Sequence, residues 1–411
     1  MSNCVVIITV LYRKIYMKQY SIGVIGVGTA GIISLSHCLN YLGIDWTVTS
    51  IHNPNKPILG IGESTSTQIP ENLFGSIGFN LLEDNDLDAT IKLGVKFTGW
   101  RDHDFFSHMM VPNYGIHFNN FKLKDFAFKK FYEIFPNRFK ELHGDVTGIQ
   151  TIGDKAEVTV NDKIEKFDYI IDCGGWPTDY DDYNIAQSIA VNNCLVNMVP
   201  QPGDWNYTYH TATPDGWMFG IPLKTRQGWG YLYNDNITDK DSAIKNMSKF
   251  FTEQTFDEKN LKEFKFKSYK AKKFIDGRVI KNGNKALFYE PIEALSGYFY
   301  DQVLRFFFDY LLGKYNLEEV NNYISQKAND IELGIAYIYQ GGSTYNTNFW
   351  EHAVKISKNK LDTDPQWKKS FDDISVLKGV YPRGDRFQGV GLFSLRSWLD
   401  FDKNLGYNQF T

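Results

Sequence analysis

The chain has 411 residues, enough for two closely packed domains or one large one, and its 43% hydrophobic and 22% charged residues are ordinary for a globular protein. A formal net charge of -4 with no basic stripe argues against a nucleic-acid partner, and no apolar run reaches transmembrane length. The 16% aromatic share suits a site for flat ring systems or simply a large aromatic core, and composition does not choose between them.

In chain order, Val5 to Leu11 is apolar apart from Thr9, and Arg13 and Lys14 follow it. That order of charge is wrong for a secretory signal, so we read residues 1–16 as an N-terminal extension with Met17 as the natural start. Tyr20 to Val27 reads as a buried strand, Gly31 to Leu42 as a helix and Trp46 to Ile51 as a second strand, a βαβ opening that predicts a parallel sheet. Asn53 to Pro70 is a Pro/Gly-rich loop. Leu82 to Ala89 reads as an acidic helix and Phe121 to Phe135 as an aromatic one. Val146 to Thr151, Ala156 to Val160 and Tyr169 to Asp172 read as strands, two of them a hairpin around Gly153-Asp154. A Trp/Tyr-rich β region follows Pro200 and runs to Tyr233. Lys240 to Glu253 reads as a helix, the remainder from about Pro291 is mostly helical, and the last ten residues are expected to be loosely ordered. The four cysteines form no CxxC pair, and Cys38 and Cys173 sit in apolar surroundings as buried thiols, which fits a reducing cytoplasm.

Gly26-Val27-Gly28-Thr29-Ala30-Gly31 is a GxGxxG between a strand and a helix. The first glycine permits the tight turn, the second admits a pyrophosphate and the third lets helix and strand pack closely. The pattern points to a dinucleotide and does not separate FAD from NAD. The acidic residue expected about 20 positions on is missing; Ser50 and His52 stand there, and either side chain can bond a ribose hydroxyl. Ile170-Ile171-Asp172-Cys173-Gly174-Gly175 is an apolar strand ending in a small-residue turn, placed to return to the cofactor side of the sheet. There is no GxSxG, no HExxH and no metal-ligand cluster among the eight histidines, so hydrolase and metal readings fare badly.

Six further segments carry a specific resemblance. Gly60 to Thr65 resembles the GVGEAT loop of flavin-dependent tryptophan halogenases; Ile91 to Phe97 with Trp100 resembles their FKLGIKFxxW segment; Gly216 to Pro222 resembles GWxWxIP. Gly228 to Tyr233 is similar to GxGYVY, Glu290-Pro291-Ile292-Glu293 to EPLES, and Tyr345 to Trp350 to the DTPFW region. Each match is short, and together they keep the family order from about Tyr20 to Trp350.

The resemblance implies an α/β fold: a Rossmann-like FAD-binding module over 17–300 with an inserted β-rich layer, and a mostly helical substrate region over 301–411. It implies FAD held by Gly26, Gly28, Thr29, Ala30, Gly31, Ser50, Gly62, Glu63, Ser64 and Asp172. In that family, reduced flavin reacts with O2 to give a peroxide, halide attacks it, and the resulting hypohalous acid is directed to an aromatic small molecule. Lys92 stands at the family's essential lysine, with Lys96 as runner-up on the same face if the segment is one strand; without the resemblance it reads as a surface lysine. Its apolar neighbours favour an easily shifted pKa. Glu293 matches the catalytic glutamate, and otherwise reads as a carboxylate favoured at a helix N-terminus. Trp217, Phe219 and Pro222 resemble the aromatic wall between substrate and flavin, or a core stripe.

Three departures stand out. Ala294-Leu295-Ser296 replaces Ser-Thr-Gly near the halide, where Leu295 and Ser296 would contribute and a looser pocket would favour bromide or iodide. The GDA-like segment before Glu290 is contracted at Gly283-Asn284. The match fades beyond Trp350, which leaves indoles, phenols and larger aromatics open as substrates. The implied partner is a separate NAD(P)H-dependent flavin reductase; a homodimer is left open, and no membrane is implied. The rival readings are a flavin monooxygenase of the same fold and an inactive flavin-binding protein.

Overall fold

The computed structural model describes residues 19–58, 60, 62–83, 86–107, 113–385 and 388–410, so the expected extension over 1–16 and Met17 lie outside the described residues. The chain opens with β1 (Tyr20–Ile25), α1 (Thr29–Tyr41) and β2 (Trp46–His52), the expected βαβ unit. Ile22 and Val24 are fully buried, as a central parallel strand requires. Helix α1 is buried from Ala30 through Leu39, which is why it lacks a polar face. Arg138 closes its C-terminal end by donating to Leu39 O (2.8 Å) and Leu42 O (3.0 Å).

Next come α2 (Gln68–Ile77), β3 (Thr90–Lys92), β4 (Val95–Thr98), β5 (Phe105–Ser107), β6 (Gly115–His117), α3 (Asn120–Ile134) and β7 (Phe139–His143). The acidic helix expected over Leu82 to Ala89 is not formed by the described residues of that span, which are turns and irregular chain. Tertiary anchors override the local pattern there. The Asp88 carboxylate accepts from Thr225 Oγ1 (2.6 Å), and Leu87 O accepts from Asn119 N (2.9 Å). A meander of β8 (Val146–Ile152), β9 (Lys155–Val160) and β10 (Lys163–Phe167) leads into β11 (Tyr169–Asp172), with the expected hairpin at Gly153-Asp154.

Strands β12 (Tyr183–Ile185), β13 (Asn193–Val199), β14 (Thr208–Thr213), β15 (Gly216–Pro222) and β16 (Gln227–Tyr233) precede α4 (Lys240–Ser248), which ends before the expected Glu253. After β17 (Lys262–Lys265), β18 (Tyr269–Ala271), β19 (Ile275–Asp276), β20 (Val279–Lys281) and β21 (Leu287–Phe288), the chain is mainly helical: α5 (Ser296–Leu311), α6 (Leu317–Tyr339), α7 (Asn348–Thr363), α8 (Pro365–Val380) and α9 (Leu395–Asn404). Helix α6 starts at a full capping box, the Asn316 side chain accepting from Glu319 N while the Glu319 carboxylate accepts from Asn316 N.

Two sheets carry the architecture. The first runs β19-β20-β11-β1-β2-β7 and is parallel except for its outermost β19–β20 pair. The second is the inserted β-rich layer, β17-β13-β16-β15-β14-β4-β5, antiparallel apart from β14 against β4. The main hydrophobic cluster draws on residues from Ile22 to Phe410, and two smaller ones lie under the β8–β10 meander and under α4. The last residues, expected to be loose, are pinned. The Asp402 carboxylate accepts from Gln409 N (2.8 Å) and Phe410 N (3.0 Å), and Phe410 is buried. Among the described residues, no helix is long and apolar enough to cross a membrane.

Candidate active site

The glycine motif forms a cradle. Gly26 has φ +90°, and a Cβ there would lie 2.6 Å from Cys173 O; a Cβ on Gly31 would lie 2.0 Å from Gly26 O. A Cβ on Gly28 would meet nothing within 4 Å, and the same holds at Gly62. The first glycine therefore serves the turn, the third serves packing, and the second leaves open space in front of α1. Gly28 caps α1 without a side-chain hydrogen bond, so the amides of its first turn face that space with the positive end of the helix dipole. Asp172 closes the neighbouring strand end; its carboxylate accepts from Gly174 N (2.8 Å), and burial raises its pKa. The contracted segment is a single 3-10 turn, Gly283–Lys285. A Cβ on Gly283 would lie 2.6 Å from that of Ala30, so the turn packs directly onto the start of α1. These features fit the pyrophosphate of a dinucleotide.

Other expected cofactor contacts are turned inward. Ser50 is fully buried and its Oγ lies 3.2 Å from His52 Nδ1. The buried Glu63 carboxylate accepts from Arg226 Nη2 (2.5 Å) and from Asn120 N (3.1 Å). Both side chains bond protein partners rather than face the open space. The Thr29 hydroxyl donates to Asn120 Oδ1 (2.8 Å) and also lines the cavity, and the buried Ala30 packs beneath it.

Lys92 is fully buried, so it is no surface lysine. It ends β3, which pairs with β6, while the 63–65 segment lies along the other side of β6 through the Ser64–His117 bridge. Lys92 Nζ donates to Ser64 Oγ (3.0 Å), which lies 3.0 Å from Thr208 Oγ1. His117 Nε2 lies 2.9 Å from the same threonine hydroxyl, and its Nδ1 lies 3.1 Å from Thr90 Oγ1, which donates to Pro222 O (2.7 Å). Burial lowers the Lys92 pKa to about 8, opposed by the Glu293 charge. Burial and then the Lys92 charge hold His117 well below the usual imidazole range, so its ring is neutral. The shared face expected for Lys92 and Lys96 does not exist. The chain bends at Leu93-Gly94 and enters the large sheet, where Lys96 pairs with Asp104 (3.0 Å) at the rim.

Glu293 approaches from the opposite wall, in the turn before α5. It and Ala294 both have left-handed φ, +64° and +53°. Glu293 Oε1 accepts from Ser107 Oγ (3.2 Å) and lies 3.8 Å from His210 Nδ1. The expected aromatic wall divides. Phe219 lines the cavity, and Gly230 opposite it makes room, since a Cβ there would lie 2.2 Å from the Phe219 ring. Trp217 sits deeper, edge-on to His210 at 4.9 Å between ring centres. Pro222 anchors Thr90 through its carbonyl. Behind Trp217, burial raises the Glu290 pKa to about 8, opposed by the Tyr339 hydroxyl, which donates to Glu290 Oε2 (2.9 Å), and by Trp217.

A cavity of about 1140 Å³ of empty space, part of it open to solvent, joins these regions. Thr29, Gly62 and Asn284 line its cradle side; Ser64, His210, Phe219 and Ile221 line the other, with Ser296 and Gly297 below. Lys92 and Glu293 do not line it themselves, but each contacts a residue that does: Lys92 donates to Ser64, and Glu293 lies 3.8 Å from His210. Sequence reasoning missed Thr208, His210, His117 and Ser107. One signal was available: Thr208 and His210 alternate on one face of a strand, polar groups that recur on a buried face.

Comparison with known proteins identifies the family. A family model described as tryptophan halogenase matches residues 21–162 and 143–366. Among curated proteins, the chain is 20% identical, over an alignment of 357 positions counting gaps, to tryptophan 7-halogenase RebH of Lentzea aerocolonigenes, covering 67% of each chain. It is 21% identical, over an alignment of 433 positions counting gaps, to tryptophan 6-halogenase ThaL of Streptomyces albogriseolus, covering 83% of this chain and 81% of that one. Among solved structures, Xcc4156, a flavin-dependent halogenase from Xanthomonas campestris, superposes with a TM-score of 0.78 at 18% identity, over 94% of this chain and 89% of that one.

Proposed function

The chain belongs to the tryptophan halogenase family and is a flavin-dependent halogenase; from that premise we propose that it uses FADH2, O2 and halide to halogenate an indole- or phenol-like small molecule, with Lys92 and Glu293 as its catalytic residues. The observation that carries the residue assignment is a fully buried lysine near enough to feel the charge of a buried glutamate, each held by a hydroxyl, Ser64 and Ser107, with Ser64 and His210 beside them lining one cavity.

Gly26, Gly28, Thr29 and Gly31 would hold the dinucleotide at α1, with Gly62 and Asn284 alongside. Bound and reduced, the flavin supplies the reaction with O2 that oxidises halide to hypohalous acid. The Lys92 ammonium would donate a hydrogen bond to the oxygen of that acid, drawing electrons from the halogen. As the oxygen–halogen bond breaks and the halogen adds to the aromatic ring, the departing hydroxide would take a proton from Lys92 and leave as water, while Glu293 would accept the ring proton and return it through solvent to reset the lysine. Phe219 would keep the substrate apart from the flavin. Halide would sit near the Leu295 and Ser296 amides at the start of α5, where the helix dipole favours an anion. A separate NAD(P)H-dependent flavin reductase would supply reduced cofactor.

The test is a halogenation assay on indoles and phenols with FAD, a flavin reductase, NADH and air, read by mass spectrometry in chloride, bromide or iodide. Hydrogen peroxide is scavenged, and Lys92→Ala runs alongside. A halogen mass shift that disappears in Lys92→Ala is the expected result. Oxygenated products without halogen would move the reading to a monooxygenase. A mass shift that survives the substitution would remove Lys92 from its role.

A further inference from the structure

The sequence offers no metal-ligand cluster among its histidines, but the fold builds one. β2 and β7 are parallel neighbours at the edge of the first sheet, and their register sets His52 beside His143 and Ser50 beside Glu141. The ligand atoms of His52, Glu141 and His143 all lie within 4.8 Å of one another. His143 Nε2 is 2.8 Å from Glu141 Oε2, and His52 Nε2 is 3.8 Å from the same oxygen. We propose that His52, Glu141 and His143 bind one divalent ion of the zinc class.

Four observations support this. His52 is 6% exposed, and its Nε2 is buried without a hydrogen bond while aimed at the Glu141 carboxylate. A buried ring nitrogen left in that state is unfavourable unless something binds it. The other imidazole nitrogen is oriented by Ser50 Oγ at 3.2 Å, and Glu141 Oε1 accepts from Tyr132 OH (2.5 Å). Outer partners of this kind are what fix metal-binding imidazoles and carboxylates. Two imidazoles and a carboxylate form a donor set suited to zinc, with a fourth position left for water. A tetrahedral ion with bonds of about 2.0–2.1 Å sets its ligand atoms about 3.3 Å apart, a modest adjustment of the spacings seen. Finally, the His143 side chain is 54% exposed, so an ion can enter from solvent.

Lys124 on α3 opposes a cation here, and Glu141 offsets it. The ion would fasten the edge strand β7 to β2. The proposal does not depend on the halogenase chemistry.

The test uses the full chain without a polyhistidine tag, stripped with EDTA and titrated calorimetrically with zinc chloride, with bound zinc counted by mass spectrometry after gel filtration. One zinc per chain is expected, together with a rise in Tm. His143→Ala removes a half-exposed side chain, so it should fold like the parent by circular dichroism while its zinc affinity drops at least about tenfold. Glu141→Gln and His52→Ala should weaken binding as well. Substoichiometric binding in the parent, or equal affinity in His143→Ala and Glu141→Gln, would overturn the site.

Discussion

Replacing Lys92 by Met should make the protein more stable and catalytically dead. The side chain is fully buried, and its pKa is lowered from 10.5 to about 8, mainly by burial. That depression corresponds to about 3 kcal/mol held against the charged form. Below about pH 8 the lysine is charged in both folded and unfolded chains, so the folded state bears this cost in full. As pH rises from about 8 to 10.5 the folded chain releases the proton first, and the cost is relieved. Methionine keeps the unbranched stem and removes the charge. Against that gain stand the lost bond to Ser64, which keeps Thr208 as a partner, and the loss of the cation facing Glu293. A net gain of about 1–2 kcal/mol remains at pH 7, the familiar exchange of stability for function. Denaturant unfolding at pH 7 and pH 10 would show it, with the variant's advantage shrinking at the higher pH. In the parent, halogenation should fall as pH rises through about 8, because the donor proposed for the hypohalous acid is the ammonium form. A variant less stable at pH 7, or a parent whose rate climbs above pH 8, would refute the reasoning.

The remaining predictions concern neighbouring parts of the site. Glu293→Gln keeps the size and the left-handed turn but loses the proposed proton acceptor, so turnover should drop by about 10²-fold or more with Tm nearly unchanged. Gly28→Ala should leave unfolding unaffected, since its Cβ meets nothing, yet weaken FAD in a fluorescence titration; Gly31→Ala should destabilise the fold itself, because its Cβ would lie 2.0 Å from Gly26 O. The Glu290 carboxyl has its pKa raised from 4.5 to about 8, so the stability it contributes is fully present below pH 4.5 and is lost as pH rises through 8. Glu290→Gln should flatten that part of the stability profile while keeping a partner for Tyr339. Phe219→Ala should raise the share of oxygenated product in the halogenation assay if its ring separates substrate from flavin.

The local motifs were legible because each has a mechanical reason that survives without context. The strand–glycine–helix signature was readable in Gly26, Gly28 and Gly31, and the apolar setting of Lys92 in its neighbours. What escaped was decided by distant chain. Glu63 looks like a free polar group in a cofactor loop, yet Arg226, 163 residues further on, occupies it. Lys96 shares the two-residue alternation of Lys92 on paper, and the bend at Leu93-Gly94 sends the two into different sheets. His210 and Ser107 carry no motif at all. They meet Glu293 only because β14 pairs with β4, and β4 with β5.

The paired left-handed residues Glu293 and Ala294 have a dynamic consequence. Each non-glycine residue in that conformation costs about 1–2 kcal/mol, so the turn stores energy that surrounding contacts must restrain. Its amides should therefore exchange with deuterium earlier than those of α5 just beyond it, and slow when an aromatic ligand fills the cavity. Ligand affinity and catalytic alignment would then draw on the same stored energy: whatever a substrate spends in holding the turn is unavailable for binding, and appears instead as a glutamate already aimed.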